Sequence, residues 1–129
     1  MTRAKTASVW TGRTVSALVV ILLAADAVAQ LLAPNSIRMQ MAATGFPVEL
    51  APIIASITAG CTLLYAMPRT APIGAILITG FLGGAICTHF RLGELASPPQ
   101  LASFALGLMT WGGLYLRIPQ LRELLPLRA

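Results

Sequence analysis

Charge is scarce in this sequence. Only 10% of its 129 residues are Asp, Glu, Lys or Arg, whereas a soluble domain carries about a quarter. So few charges cannot cover a surface that faces water all round. The chain has one His and two Cys, which excludes a zinc finger, a bis-histidine haem and a disulfide framework. It has four acids, and Glu49, Glu94 and Glu123 among them fall at expected loops or helix ends. No two carboxylates share a helix face for acid–base work. No Walker-type or dinucleotide fingerprint and no nucleophile elbow is present. Nine Lys and Arg give a net charge of +5, but they are scattered. With no basic patch to track a phosphate backbone, nucleic acid is not an expected partner. No metal site and no cofactor is expected.

What is abundant is apolar. Hydrophobic residues make up 57% of the chain and the mean hydropathy is +0.80, the composition of a membrane protein. A helix needs about 20 mostly apolar residues to cross a hydrocarbon core roughly 30 Å thick, and four segments qualify: 14–33, 48–67, 70–90 and 100–116. Breakers mark their ends. Pro34 follows the first, Gly45-Phe46-Pro47 precedes the second, and Pro52 falls in the opening turn of the second, where a missing N–H is tolerated. Pro68 closes the second span, Thr70 is placed to cap the third, and Ser97 with Gln100 spells a capping box for the fourth. Residues 35–44 are too short to cross and are expected as an interfacial helix stopped by Gly45. Residues 117–129 mix Leu with Arg in the manner of an amphipathic stretch on a membrane surface. The expected fold is all-α: an integral membrane four-helix bundle with a short interfacial helix between spans one and two, in a single domain over 1–129.

Short-loop arginines and lysines set orientation. One side holds seven (Arg3, Lys5, Arg13, Arg69, Arg117, Arg122, Arg128) and the other two (Arg38, Arg91), so both termini are expected in the cytoplasm. A rival reading takes residues 1–29 as a cleavable secretory signal, with Ala27-Val28-Ala29 as its small-residue end. Against it, Asp26 interrupts the end of the apolar run, and hydrophobicity continues through Leu31-Leu32.

The informative residues are polar ones at membrane depth, where a charge costs a few kcal/mol and marks a site by default. Asp26 lies about 18 Å past Thr14 along a helix. Thr58, Gly83 and Gly107 fall at a similar level, which makes Thr58 the expected polar neighbour and the layer roomy. Gln30 sits one turn above Asp26, while His89 and Arg91 end the third span near the opposite surface. Asp26, Gln30, Thr58, His89 and Arg91 form the candidate polar pocket. The alternative for Asp26 is a structural carboxyl joining helices; for Arg91, a side chain snorkelling to the headgroups. Gly74, Gly80, Gly83 and Gly84 in the third span, and Ala51, Ala55 and Ala59 in the second, read as close-packing faces, within the bundle or in a homo-oligomer. Trp10, Trp111 and Tyr115 belong to the cytoplasmic aromatic belt. Cys61 and Cys87 differ by roughly 16 Å in height, beyond disulfide reach.

Met67-Pro68-Arg69-Thr70 followed by Ala71 to Gly93 (APIGAILITGFLGGAICTHFRLG) resembles the DoxX-like family of small bacterial membrane proteins. Gly12-Arg13, the Asp26 region and Gly45-Phe46-Pro47 fit the same pattern, so the resemblance covers about residues 12–126. It implies a four-helix bundle in the bacterial inner membrane. It also implies a distant link to a subunit that supports electron transfer from sulfur compounds to quinone. Gln30 stands where many relatives carry Lys. The expected function is a non-catalytic accessory subunit near a quinone-like molecule or a redox membrane complex. A proton-coupled dimeric transporter using Asp26, and a purely structural subunit, are the alternatives.

Overall fold

The computed structural model describes residues 2–32 and 34–125. Its elements are helical: α1 (Thr2–Leu32), α2 (Asn35–Thr44), a single 3-10 turn (Val48–Leu50), α3 (Ala51–Ala66), α4 (Ala71–Arg91), α5 (Pro98–Arg117) and α6 (Pro119–Leu124). Ala33, the expected end of the first span, and Arg128 of the tail lie outside the described residues.

Local chemistry accounts for the boundaries. Pro52, Pro72, Pro98 and Pro119 fall in the opening turns of their helices. Proline loses nothing there, because the first N–H groups have no intrahelical partner. Gly45 ends α2 in the left-handed region (φ +77°), and the Phe46 N–H returns to Met41 O at 2.9 Å, a closure that glycine makes without strain. At the start of α5 the Ser97 N–H donates to Gln100 Oε1 at 3.4 Å. Thr70 departs from expectation: its hydroxyl donates backward to Leu64 O at 2.8 Å. It ties the α3–α4 turn together instead of capping α4.

α1 packs against α3 and α5, and α4 packs against the same two. The four long helices therefore close a ring in chain order. Cross-contacts give their directions. Gly12, in the first half of α1, abuts Arg117 at the end of α5, and Ser16, one turn on at mid-helix, meets Tyr65 at the end of α3 and Gly113 near the end of α5. Val19, Leu23, Ile78, Leu82 and Leu114 fill the centre, while Leu18, Ile21, Ile57, Leu63, Ile76, Phe104 and Leu108 point outward. An apolar exterior is what hydrocarbon requires. Three helical stretches, Arg3–Leu32, Val48–Ala66 and Ala71–Arg91, are long and apolar enough to cross a membrane. α5 has 20 residues but is more polar, because it turns Gln100 and Thr110 into the bundle.

Two ends of the chain differ from expectation. α1 begins twelve residues before the expected span. Hydropathy finds only the apolar part of a helix, and Ala4, Lys5 and Ala7 favour continuing it. The described part of the tail, to Leu125, folds back onto the bundle as α6. Leu121 packs on the core, and Arg122 donates to Tyr115 O at 2.9 Å and to Ser8 Oγ at 2.7 Å.

This end of the ring is tightly closed. A Cβ on Gly12 would come within 2.6 Å of the Arg117 nitrogen, one on Gly113 within 2.7 Å of Ser16 Oγ, and one on Gly74 would collide with the Tyr65 backbone. A buried polar knot sits where these backbones meet. Tyr65 Oη donates to Thr110 O at 2.8 Å. With that proton placed, Ser16 Oγ is the donor in its 3.0 Å contact with Tyr65 Oη. Arg117 donates to Tyr65 O at 2.7 Å and lies 4.9 Å from the centre of its ring. Away from water, a phenol needs such partners.

Candidate functional site

The opposite end of the bundle is open. A cleft of about 880 Å³ runs between α1, α4 and α5 beneath α2. Its deep half is apolar, walled by Leu22, Leu23, Phe81, Leu106 and Met109. Its mouth carries Asp26, Gln30, Gln40, Thr44, Thr88, His89 and Ser103. Along α5 the lining extends from Met109 to Pro99, about 15 Å at the rise of an α-helix, or one leaflet of hydrocarbon. Size and wall chemistry both match small-molecule sites, which run to about 300–1,000 Å³ with apolar walls and a few polar groups.

The cleft exists because α4 is thin along this face. Gly80 and Gly84 line it, and a Cβ on Gly80, Gly83 or Gly84 would meet nothing within 4 Å. Of the four glycines read from the sequence as close-packing, Gly74 alone plays that part within the bundle. The alanines divide as well: Ala51 and Ala55 are fully buried, while Ala59 is exposed.

Asp26 and Gln30 are successive on one face of α1, and Gln30 Nε2 donates to Asp26 Oδ2 at 2.8 Å. Across the mouth, His89 Nδ1 pairs with Glu94 Oε2 at 2.5 Å. Gly93, at φ +77°, turns the chain after α4 so that Glu94 comes back under the ring. Asp26, Gln30 and His89 thus share the cleft. Thr58 and Arg91 stand outside it. Thr58 is buried in α3 and donates to Ile54 O at 2.9 Å, because a threonine in a helix reaches its own i−4 carbonyl before any distant partner. Arg91 donates to Thr44 O at 3.0 Å and lines a separate small hollow with Cys87 and Pro47. It holds the end of α2 against α4 instead of facing Asp26. Cys87 is exposed and Cys61 buried, both as free thiols.

A model of the DoxX-like family matches residues 14–113. The chain belongs to the DoxX-like family. The match takes in the cleft and the Ser16–Tyr65–Thr110 knot of this DoxX-like bundle, and stops before Arg117 and α6. No curated protein and no solved structure matches the chain.

Sequence reasoning missed the knot and the Glu94 partner of His89. Tyr65 was the available signal for the first: a phenol inside an apolar span implies a hydroxyl or carbonyl beside it. Gly93 between His89 and Glu94 was the signal for the second.

Proposed function

We propose that this DoxX-like membrane protein is a non-catalytic accessory subunit that holds a quinone-like amphiphile for a redox complex of the inner membrane. The cleft carries this reading: it is leaflet-long, apolar below and polar at its mouth. The arginine asymmetry supports cytoplasmic termini, which puts the closed end inside and the mouth at the outer face. Asp26 and His89 would orient a polar head, and the glycine-thinned wall of α4 would receive the chain below it.

Native mass spectrometry of the purified protein tests the proposal, beside Asp26→Asn and His89→Ala. A quinone-sized adduct on wild type that weakens in both variants is the expected result. A bare protein that takes up neither added decylubiquinone nor decylubiquinol would overturn it and favour a purely structural subunit. The position of Asp26 at the mouth favours one second reading, a proton-coupled dimeric transporter. That reading requires substrate binding to release protons in wild type and not in Asp26→Asn.

A further inference from the structure

The polar groups of the cleft are mostly acceptors. Among the described residues its hydroxyls belong to Thr44, Thr88 and Ser103, and each gives its proton to its own helix. Thr44 Oγ1 donates to Met41 O at 3.0 Å, Thr88 Oγ1 to Gly84 O at 2.9 Å, and Ser103 Oγ to Pro99 O at 2.9 Å. A hydroxyl engaged in this way turns only lone pairs to a ligand. Asp26 Oδ2 acts as an acceptor, with one N–H of Gln30 already fixed on it at 2.8 Å. His89 Nδ1 is taken up by Glu94 Oε2, so Nε2 alone of that ring is left to face a ligand. Gln40 and the second N–H of Gln30 are the donors that remain. Among the described residues no Lys or Arg side chain lines the cleft, and the Arg91 guanidinium is turned to the Thr44 carbonyl at the end of α2.

Resting on the reading of the cleft as a quinone-like site, we propose that it selects a head group that donates hydrogen bonds, so that the hydroquinone form is bound in preference to the quinone. A quinone head carries only carbonyl acceptors. Seated here it would find only Gln40 and the second N–H of Gln30 as donors and would set its remaining lone pairs against those of the cleft, and a polar group shut from water without a partner is costly. The two hydroxyls of a hydroquinone supply the missing protons, one within reach of the α1 face and one toward Thr88 and Ser103 across the mouth. The apolar tail follows the deep half, where both forms are equivalent. Discrimination therefore belongs to the head alone.

The test is equilibrium binding of decylubiquinol and decylubiquinone to the full chain in lipid nanodiscs, the former kept reduced under anaerobic conditions. Wild type should bind the reduced form at least about tenfold more tightly, the difference of one well-placed hydrogen bond. Asp26→Asn puts an N–H donor where the carboxylate was, so the preference should shrink toward parity while some binding remains. Gly84→Leu, which adds bulk in open space, should abolish binding of both forms; Gly80→Leu repeats that test at an independent position. If wild type binds the two forms equally, or the quinone more tightly, the selectivity proposal is overturned while the accessory reading stands. Binding of neither form overturns both.

Discussion

A methyl group on Gly113 would sit 2.7 Å from Ser16 Oγ and 3.1 Å from the Ser16 nitrogen, while one on Gly84 would touch nothing within 4 Å. The two glycines are indistinguishable as letters in a sequence, yet they contribute in opposite ways. Gly113→Ala forces backbones apart and should cost about 1–3 kcal/mol, the usual scale of overpacking. Gly84→Ala should be neutral or stabilising by up to about 1 kcal/mol, since alanine is the better helix former. Reversible unfolding in mixed micelles measures both, and equal effects would contradict the division of the bundle into a closed and an open end. Tyr65→Phe should cost about 0.5–1.5 kcal/mol in the same assay, because it removes the hydroxyl that joins α1, α3 and α5. Whether a small residue admits a neighbouring helix or a cavity depends on what lies opposite, and that is tertiary information. For the same reason Thr58 was misplaced beside Asp26. Its depth was legible, but its preference for the Ile54 carbonyl was settled inside α3.

At the level of elements, the sequence was most transparent where proline or a left-handed glycine stops a helix. Pro34 and Gly45 bracket α2, and Pro68 marks the α3–α4 turn. Boundaries set by tertiary docking were opaque: α1 runs on past its apolar part, and α6 turns back because Arg122 finds Ser8. α2 roofs the cleft and is fixed at its end by Gly45 and by the Arg91–Thr44 contact. Arg91→Gln should loosen that end, so hydrogen exchange of the amides in 41–46 is expected to quicken about tenfold while α3 and α4 stay protected. No change in exchange would mean that Gly45 alone holds α2. The inward face of α1 carries Val19, Leu23 and Ala27, all buried. A chain begun at Gln30 loses all three together with Ser16, and should not yield a folded bundle in detergent. A stable, monodisperse product from that truncation would show that the remaining helices form a core without α1.

For the molecule as a whole, the asymmetry of its two ends governs behaviour more than any single contact. The closed end joins helices backbone to backbone through Gly12, Gly74 and Gly113 and holds the knot. The open end places polar groups around a cavity. A bound amphiphile stabilises only the folded form, so added ligand should raise the unfolding temperature in proportion to the logarithm of its concentration above the dissociation constant. Gly84→Leu should be stable without ligand and show no such rise; a wild-type unfolding temperature that ignores ligand would remove the cleft from the functional account. The sequence disclosed a four-helix bundle with Asp26, Gln30 and His89 in one polar pocket. It did not disclose the void between them, because a void is made by residues that are not there.

The two free thiols lie in opposite halves of this asymmetric bundle, one sealed and one open. Cys61 is buried on the closed side, and Cys87 is exposed in the hollow beside Arg91. The native chain is therefore already a labelled compass. A membrane-impermeant maleimide added to intact cells should modify Cys87 and spare Cys61 if the cleft faces outward. With inside-out vesicles, the same reagent should leave both untouched. The reverse pattern would turn the protein over in its membrane, and no residue need be changed to find out.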